Sequence, residues 1–343
     1  MFVGKDGVIL TVTRAGLIAQ HFGTGAHLMK LRIITFLMLV MVSKSAPNSL
    51  AGDVFFQFNY DASFDINAGA NSAAAKSDFT YVANYLTSVL DSGVSGNVTV
   101  EVDVSGIYNA STGTLAYAGS SLYLTNNFEP VFTQSHIQTG VKTWVGSDAG
   151  ATVNFAQSLG YGGNVSSSQY DFRYILLHEM THALGFVGLI GSTGASSNPT
   201  TYSTFDSYLL GWNGSSYQNL VSRDGTGTPT GSMAGASAAL INSAHPILFN
   251  GPNVTAYLGQ AAQMFTPGSY LSGSSTYHTN YSNSLMYYSV SPGNKPFGYS
   301  GLDIAFMKDL GYTVTVPEPG SMGLAVVSLV VLVVGQTRRR GVI

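Results

Sequence analysis

The sequence contains no cysteine in its 343 residues, and this absence excludes disulfides, thiolate metal sites and cysteine nucleophiles. Any metal site must therefore use His, Asp, Glu or water. Charged residues are scarce, at 9%, and a formal net charge of -3 leaves no basic surface for nucleic acid. The sequence also lacks an internal repeat, a Gly-rich phosphate-binding loop and a GxSxG motif. Its length is enough for one large domain with a substantial core.

The N-terminal part of the chain has the pattern of an export signal. A positively charged stretch that starts at Met29 is followed by a mostly apolar run, 33–42, and by a small-residue cleavage site at 49–51. A transmembrane anchor is the alternative, but this run is too short to span a bilayer. We expect residues 1–28 to be an over-extended start and residues 1–51 to be absent from the mature protein.

The C-terminal residues 316–343 have the pattern of a second targeting signal. A Val-Pro-Glu-Pro box precedes an apolar stretch, 320–335, and three arginines, 338–340. At about 1.5 Å per residue this stretch is slightly short for a bilayer, and the arginines favour the cytoplasmic side. The arrangement resembles the PEP-CTERM sorting signal of Gram-negative bacteria, with a simple tail anchor as the alternative. The resemblance implies transient anchoring in the inner membrane, cleavage by an exosortase-type enzyme, and release to the cell surface or extracellular matrix.

Between these signals, residues 52–315 show the mixed patterns of an α+β domain. Strand, helix and strand follow one another in the N-terminal half, and a capped helix is expected near the C-terminal end. Residues 188–245 are rich in Gly, Ser and Thr and are expected to be mostly loop with short helices. The other expected elements are a strand at 54–58, a helix at 71–93 with Ala75, Phe79, Val82, Leu86 and Leu90 on one face, a strand with Val98, Val100, Val102 and Val104 on one side, a helix near 133–145, and a helix with Ser300 and Asp303 in a capping box that stops at Gly311.

The stretch YILLHEMTHALGF, residues 174–186, carries two histidines four residues apart with a glutamate directly after the first. Because a helix advances about 100° per residue, His178, Glu179 and His182 share one helix face. The two histidines can hold one Zn²⁺ ion, and the glutamate can take a proton from a water that the metal activates. Apolar residues on the other faces would bury the helix, and a buried His-Glu-His face needs a compensating partner such as a metal.

A bare HExxH motif also arises by chance in surface helices, so the neighbouring residues matter. Here the motif continues as HEMTHALGF, in which Gly185 lets the chain turn sharply at the helix end. The stretch resembles the leishmanolysin-type metzincins and their bacterial secreted relatives, in which HExxHALGF is typical. The resemblance covers roughly residues 54–314 but is specific only in 170–186 and 275–312. It implies a zincin-like fold with a sheet-and-helix N-terminal half, an active-site helix and a C-terminal half that contains a methionine turn.

The third metal ligand departs from the usual metzincin pattern. Most metzincins place a histidine three residues after the glycine, where this chain has Gly188, which cannot ligate. In leishmanolysin-like enzymes the third histidine follows a long insertion, so the resemblance implies a distant ligand. A glutamate from a later helix is excluded, because the only glutamate after His182 is Glu318, in the sorting signal. The remaining candidates are His245, His278, Asp206, Asp224, Asp303 and Asp309.

Position along the chain separates these candidates. Asp303 and Asp309 fit best as cap and surface residues of the last helix. Asp206 can orient the site or cap a turn, and His245, just before a short strand, fits a structural role. Of the two histidines, only His278 precedes at short range a methionine that resembles the metzincin methionine turn, so the resemblance implies His278 as the third zinc ligand.

Two residues after His278 fit the same resemblance. Met286, eight residues later in SLMYY, resembles the methionine turn beneath the zinc of metzincins; an ordinary core methionine is the alternative. Tyr288 has the position of the tyrosine that can donate to the oxyanion in astacin-like metzincins. Its alternative is the ordinary non-catalytic role of most of the 20 tyrosines in the chain.

These patterns favour a secreted zinc metalloendopeptidase whose domain spans residues 52–315 and whose partner is a protein or peptide substrate. Zn²⁺ would be held by His178, His182 and His278, with Glu179 as general base. The alternatives are a non-catalytic matrix or adhesion protein with a degenerate zinc site, and a zinc hydrolase of non-peptide substrates. An intact Glu179 argues against the first alternative, since zinc binding alone does not require it.

Overall fold

The structure, a computed structural model, describes residues 2–3, 9–13, 16–20, 51–196 and 200–315. The chain divides into two compact units, Met1–Leu50 and Ala51–Ile343. The expected signal peptide and sorting signal lie outside the described residues. In the first unit, β1 (Phe2–Val3), β2 (Ile9–Thr13) and β3 (Gly16–Gln20) form an antiparallel sheet in that order.

The second unit mixes helices with many short strands, which confirms the α+β class. Its strands are β4 (Val54–Tyr60), β5 (Leu90–Asp91), β6 (Val98–Ile107), β7 (Ala116–Gly119), β8 (Phe128–Glu129), β9 (Ala149–Asn154), β10 (Leu159–Gly160), β11 (Tyr170–Asp171), β12 (Tyr202–Ser203), β13 (Leu209–Trp212), β14 (Tyr217–Asn219), β15 (Val221–Arg223), β16 (Pro229–Ser232), β17 (Leu248–Phe249), β18 (Ala262–Gln263) and β19 (Thr313–Val314). Its α-helices are α1 (Ala62–Ala68), α2 (Ser72–Val89), α3 (Phe132–Thr139), α4 (Phe172–Ala183), α5 (Ala236–Ala239), α6 (Pro252–Leu258) and α7 (Gly301–Asp309), and two 3₁₀ helices cover Gly69–Asn71 and Phe205–Tyr208.

The N-terminal half is built on a four-stranded sheet in the order β4-β6-β9-β7. The first three strands are parallel, and β7 runs antiparallel to β9 at one edge. The alternation predicted for β6 is confirmed, because its four valines at 98, 100, 102 and 104 are all buried. The sheet therefore carries one apolar face towards the helices, and β7 is one of its two edge strands.

Helix α2 covers the apolar face of this sheet and also packs on α4. The residues predicted for its inner face, Ala75, Phe79, Val82 and Leu86, are fully buried. The helix ends at Val89, earlier than predicted, because Leu90 and Asp91 pair with β19. A long-range strand pairing thus terminates the helix before Gly93 is reached.

Helix α3 is also shorter than predicted. It ends at Thr139, and Gly140 adopts a left-handed conformation, with φ 68°, in which its N–H donates to the carbonyl of His136. Only glycine adopts this conformation without strain, so Gly140 is the stop signal that the prediction overlooked.

The region 188–245 is more regular than the Gly, Ser and Thr content predicts. It contains the five short strands β12–β16 and the short helix α5, and β13 forms a four-stranded sheet in the order β14-β13-β17-β18. Each strand is only two to four residues long, so no alternating pattern is long enough to be read from the sequence.

Helix α7 is held by hydrogen bonds at its start and to other segments of the C-terminal half. The predicted capping box is confirmed, since the Ser300 hydroxyl accepts from the Asp303 N–H while the Asp303 carboxylate accepts from the Ser300 N–H. Asp303 is thus the predicted cap residue, although it is only 1% exposed, and the prediction that Asp309 is a surface residue is wrong, because it is only 5% exposed. Asp309 accepts hydrogen bonds from the Asn253 and Val254 N–H groups at the start of α6. A capping pattern in the sequence predicts where a helix begins but not how deeply its residues are buried.

Among the described residues, no helix is both long enough and apolar enough to cross a membrane.

Candidate metal centre

Helix α4 carries the HExxH motif and is fixed at both ends. The Asp171 side chain accepts a hydrogen bond from the Tyr174 N–H and so caps its start. At its end, Gly185 has a φ of 102°, as expected from its predicted role in a sharp turn. The apolar faces of α4 are buried, as predicted, which leaves the His-Glu-His face towards a cleft.

The three predicted histidine ligands meet at one point. The Nε2 atom of His278 lies 3.1 Å from that of His178 and 3.2 Å from that of His182, although 100 and 96 residues separate the pairs. Among the described residues these three form one group that can hold a metal ion. A tetrahedral ion with bonds of about 2.0–2.1 Å places two ligand nitrogens about 3.3 Å apart, close to the observed spacing.

A backbone carbonyl orients each of the three imidazole rings. The Nδ1 atoms of His178, His182 and His278 lie 2.8, 2.6 and 3.0 Å from the carbonyl oxygens of Leu285, Phe186 and Ser274. A carbonyl only accepts, so Nδ1 must carry the proton, and in the neutral ring Nε2 is then a bare acceptor.

The three Nε2 lone pairs therefore point at one another. Burial lowers the pKa of each imidazole; His178 lowers the pKa of His278 further, to about 3, and both other histidines lower the pKa of His182 further. All three rings are neutral near pH 7, and none can donate to the others through Nε2. Three converging acceptors with no donor between them repel one another, and a cation at their centre relieves that repulsion.

The loop that presents His278 is held on both sides. The His278 carbonyl accepts from the Phe265 N–H at 2.7 Å, and the Thr279 N–H donates to the Met286 carbonyl at 2.7 Å. Thr276, two residues before the ligand, is buried with a φ of 74°, a conformation that a β-branched residue rarely adopts. The surrounding structure therefore imposes this turn at a cost in backbone strain.

Met286 lies in a tight turn next to the ligands. The Tyr287 N–H donates to the Ser284 carbonyl to close the turn, and the Met286 side chain is fully buried. The preceding residue, Leu285, supplies the carbonyl that orients His178. The predicted methionine thus lies in a turn that contacts His178 through the backbone of Leu285.

Glu179 lies beside the histidines at the floor of the cleft. Its Oε2 atom accepts a hydrogen bond from the Ala118 N–H, at 3.2 Å, in the edge strand β7. Enclosure by protein raises the pKa of Glu179 to about 8, against the opposing effect of that hydrogen bond. A cation at the histidine cluster would act in the opposite direction and favour the carboxylate.

Tyr288 lies in the wall of the same cleft. Its ring stacks on that of Phe265, with the centroids 3.9 Å apart and the planes at 7°, and its side chain is 38% exposed. The stacking fixes the ring while the cleft remains accessible to it. The structure brings Tyr288 to the candidate site but assigns it no contact with the histidines.

His245 lies apart from the group of His178, His182 and His278. Its ring stacks on Trp212, with the centroids 4.1 Å apart and the planes at 7°, and its N–H donates to the Asn242 carbonyl. It is not in the histidine group, in agreement with the structural role predicted for it.

The cleft between the two halves of the domain has a volume of about 630 Å³. Residues 113–118, which include β7, form one wall, and residues 272–274 and 287–290 also line it. Glu179 is the only side chain in its lining, apart from the histidines and tyrosines, that can carry a charge. The cleft thus offers one carboxylate and one candidate metal site to whatever binds there.

Asp206, for which the sequence leaves open an orienting role or a turn cap, contacts the segment that follows α4. This residue is 1% exposed, and its Oδ2 atom accepts from the N–H groups of Leu189 and Ser203. It therefore braces the segment that follows α4, in which the Phe186 carbonyl orients His182. Its Oδ1 atom has no hydrogen-bond partner among the described residues.

The Asp206 carboxyl is expected to make stability depend on pH. Burial raises its pKa from 3.8 to about 6, so between these values the folded state keeps a proton that the unfolded state has lost. Stability therefore falls as pH rises through this window, by about 3 kcal/mol at about 1.4 kcal/mol per pH unit. In the uncharged Asp206→Asn variant we expect this contribution to be absent.

Chemical denaturation of both metal-free proteins from pH 4 to pH 7 measures the effect. The difference in unfolding free energy should shift in favour of the variant as pH rises. A difference that stays constant with pH would show that Asp206 is ionised in the folded state throughout.

Comparisons of the chain with protein-family models, with curated proteins and with solved structures found no match.

Proposed function

We propose that the chain is a zinc-dependent metalloendopeptidase with a metzincin-like fold. The observation that carries the proposal is the convergence of three carbonyl-oriented histidines beside Glu179, at the floor of an open cleft. A purely structural metal site is closed by a fourth protein ligand, whereas a catalytic one leaves a position open. The donor set of three histidines facing a cleft is of the second kind.

Zinc is the metal that this donor set fits best. Neutral imidazoles suit Zn²⁺, and the absence of cysteine removes the thiolates that Cu(I) sites and iron–sulfur clusters use. When bound, Zn²⁺ supplies Lewis acidity, which makes water a better nucleophile and polarises a carbonyl. His178, His182 and His278 would hold it.

Glu179 has the position of a general base in this proposal. It would take a proton from the attacking water and deliver it to the nitrogen of the leaving amine. The hydrogen bond from the Ala118 N–H holds one of its oxygens, so the carboxylate meets the substrate in a defined orientation. Positioned proton transfer of this kind contributes about 10²–10⁴-fold to the rate.

The edge strand β7 provides a binding surface for an extended peptide. The Ala118 N–H donates to Glu179 and not to β9, so this peptide group lies on the free edge of β7, and by alternation that of Ala116 does too. A substrate chain can add to such an edge through main-chain hydrogen bonds. This mode of binding favours polypeptides over small esters or amides.

Tyr288 is the candidate for oxyanion stabilisation. Its phenol can donate a hydrogen bond, and its ring is held against Phe265 in the cleft wall. The proposed metzincin-like fold is supported by the turn at Gly185, the distant third histidine and the buried methionine turn. These three features occur in the order that the leishmanolysin-type resemblance implies.

A protease assay tests the proposal. The purified chain loaded with zinc is incubated with casein, then stripped with a chelator, assayed again, and reloaded. Cleavage that stops on chelation and returns with zinc supports the metallopeptidase. Zinc binding without cleavage would favour the matrix protein, and hydrolysis of small esters without casein cleavage would favour a zinc hydrolase of another class.

A further inference from the structure

Asp303 joins two segments of the chain at one buried carboxylate, the turn at Ser284 and Leu285 and the start of its own helix at Ser300. Its Oδ1 atom accepts from the Ser284 hydroxyl at 2.6 Å, and its Oδ2 atom accepts from the Leu285 N–H at 3.0 Å. The same Oδ2 atom accepts from the N–H and hydroxyl of Ser300, at 2.8 and 2.6 Å. Capping α7 requires only the Ser300 N–H bond to this carboxylate and the Asp303 N–H bond to the Ser300 hydroxyl, so the contacts with Ser284 and Leu285 need another explanation.

The contacts of Asp303 with Ser284 and Leu285 hold the turn that orients His178, a candidate metal ligand. The Leu285 N–H is bound by Asp303, while the Leu285 carbonyl accepts from His178 Nδ1 at 2.8 Å and from the Tyr174 hydroxyl at 3.2 Å. The Ser284 hydroxyl, bound to Asp303, also accepts from the Met286 N–H at 3.1 Å. The carboxylate therefore holds the turn from one side while His178 contacts it from the other.

We propose that Asp303 is a positioning residue of the metal centre. By holding Ser284 and Leu285, it keeps the Leu285 carbonyl where His178 Nδ1 must donate, which turns His178 Nε2 towards the metal position. Groups that orient a ligating histidine typically change metal affinity by about 10–100-fold. The proposal rests on the metal centre of the proposed function, although Asp303 itself contacts neither ligand nor substrate.

Asp309 on the same helix is a matched control. It is also buried, and its carboxylate also accepts backbone hydrogen bonds at the start of a helix, from the Asn253 and Val254 N–H groups. Its partners belong to α6 and do not contact the histidines. Substitution of either aspartate should therefore destabilise α7, whereas only substitution of Asp303 should weaken metal binding.

The experiment compares Asp303→Ala, Asp303→Asn and Asp309→Ala in the full chain. Zn²⁺ alone is titrated in competition with a chelating dye, and thermal unfolding of each metal-free protein is followed by circular dichroism. We expect Asp303→Ala to weaken zinc binding by about 10–100-fold and Asp309→Ala to leave it within about twofold. Asp303→Asn should recover part of the affinity, because its amide oxygen can still accept from Leu285.

Each outcome decides the proposal. If both alanine variants lose similar thermal stability and both keep wild-type zinc affinity, Asp303 is only a helix cap and the proposal is overturned. If Asp303→Ala does not fold, an unchanged affinity in Asp303→Asn and in Ser284→Ala overturns it equally, and weakened affinity in both supports it. A wild-type chain that binds zinc without cleaving casein removes the peptidase but leaves the role of Asp303 intact, and a wild-type chain that binds no zinc overturns both.

Discussion

The Glu179→Gln variant is expected to keep its zinc and to lose at least about 10²-fold, and up to about 10⁴-fold, in kcat/KM. Glutamine has the same shape as glutamate, and its carbonyl oxygen can still accept from the Ala118 N–H. It cannot accept a proton near neutral pH, so the attacking water would keep its proton. The three histidines do not depend on Glu179 for their orientation, because backbone carbonyls orient them.

The measurement pairs metal analysis with peptide hydrolysis. Glu129→Gln is the control, since Glu129 accepts from the Thr125 hydroxyl and does not line the cleft. The Glu129→Gln variant carries the same chemical change as Glu179→Gln and should retain full activity. A Glu179→Gln variant with more than a tenth of wild-type activity would remove Glu179 as the general base and leave the metal centre in place.

The His278→Ala variant is expected to lose stoichiometric zinc and all peptidase activity. Removal of His278 leaves two ligands on one helix, which bind zinc poorly. Removal of a group that merely orients a ligand costs about 10–100-fold in affinity, so loss of the ligand itself should cost more than about 10²-fold. The variant should also resemble the metal-free wild type in thermal stability, because metal binding stabilises only the folded state.

His245→Ala is the matched control for this substitution. His245 lies within the long insertion between His182 and His278 and stacks on Trp212 away from the cleft. Its variant should bind one zinc per chain with wild-type affinity. Zinc loss in His245→Ala together with zinc retention in His278→Ala would contradict the assignment and would also remove Met286 and Tyr288 from the proposed site.

Local periodicity predicted the parts of the site that lie on one element. The helical period places His178, Glu179 and His182 on one face, and the structure shows them lining one cleft. The capping box at Ser300 is equally local and is confirmed. The residue types after His182 leave two candidate histidines, and the resemblance to metzincins favours His278 because Met286 follows it; the structure brings His278 to the other two histidines.

The groups that orient the three histidines could not be predicted from local sequence patterns. The acceptors for the three Nδ1 atoms are carbonyls of Phe186, Ser274 and Leu285, and every residue has such a group. The contact between Ala118 and Glu179 depends on which edge of the sheet β7 occupies. The short strands at 202–232 and the early end of α2 likewise depend on pairing between distant segments, which no local pattern encodes.

Uncharged backbone carbonyls, and not carboxylates, orient the three histidines, and this determines the net charge of the cleft when a metal is bound. Three neutral imidazoles add no charge, and Glu179 is the only acid among the cleft residues. A divalent cation with an ionised Glu179 then leaves one net positive charge in a chain whose formal net charge is -3. Such a cleft attracts anions, so the N-terminal cleavage product, with its newly formed carboxylate, should dissociate slowly. Product inhibition by peptides with a free C-terminus, weakened by added salt, follows from this charge balance.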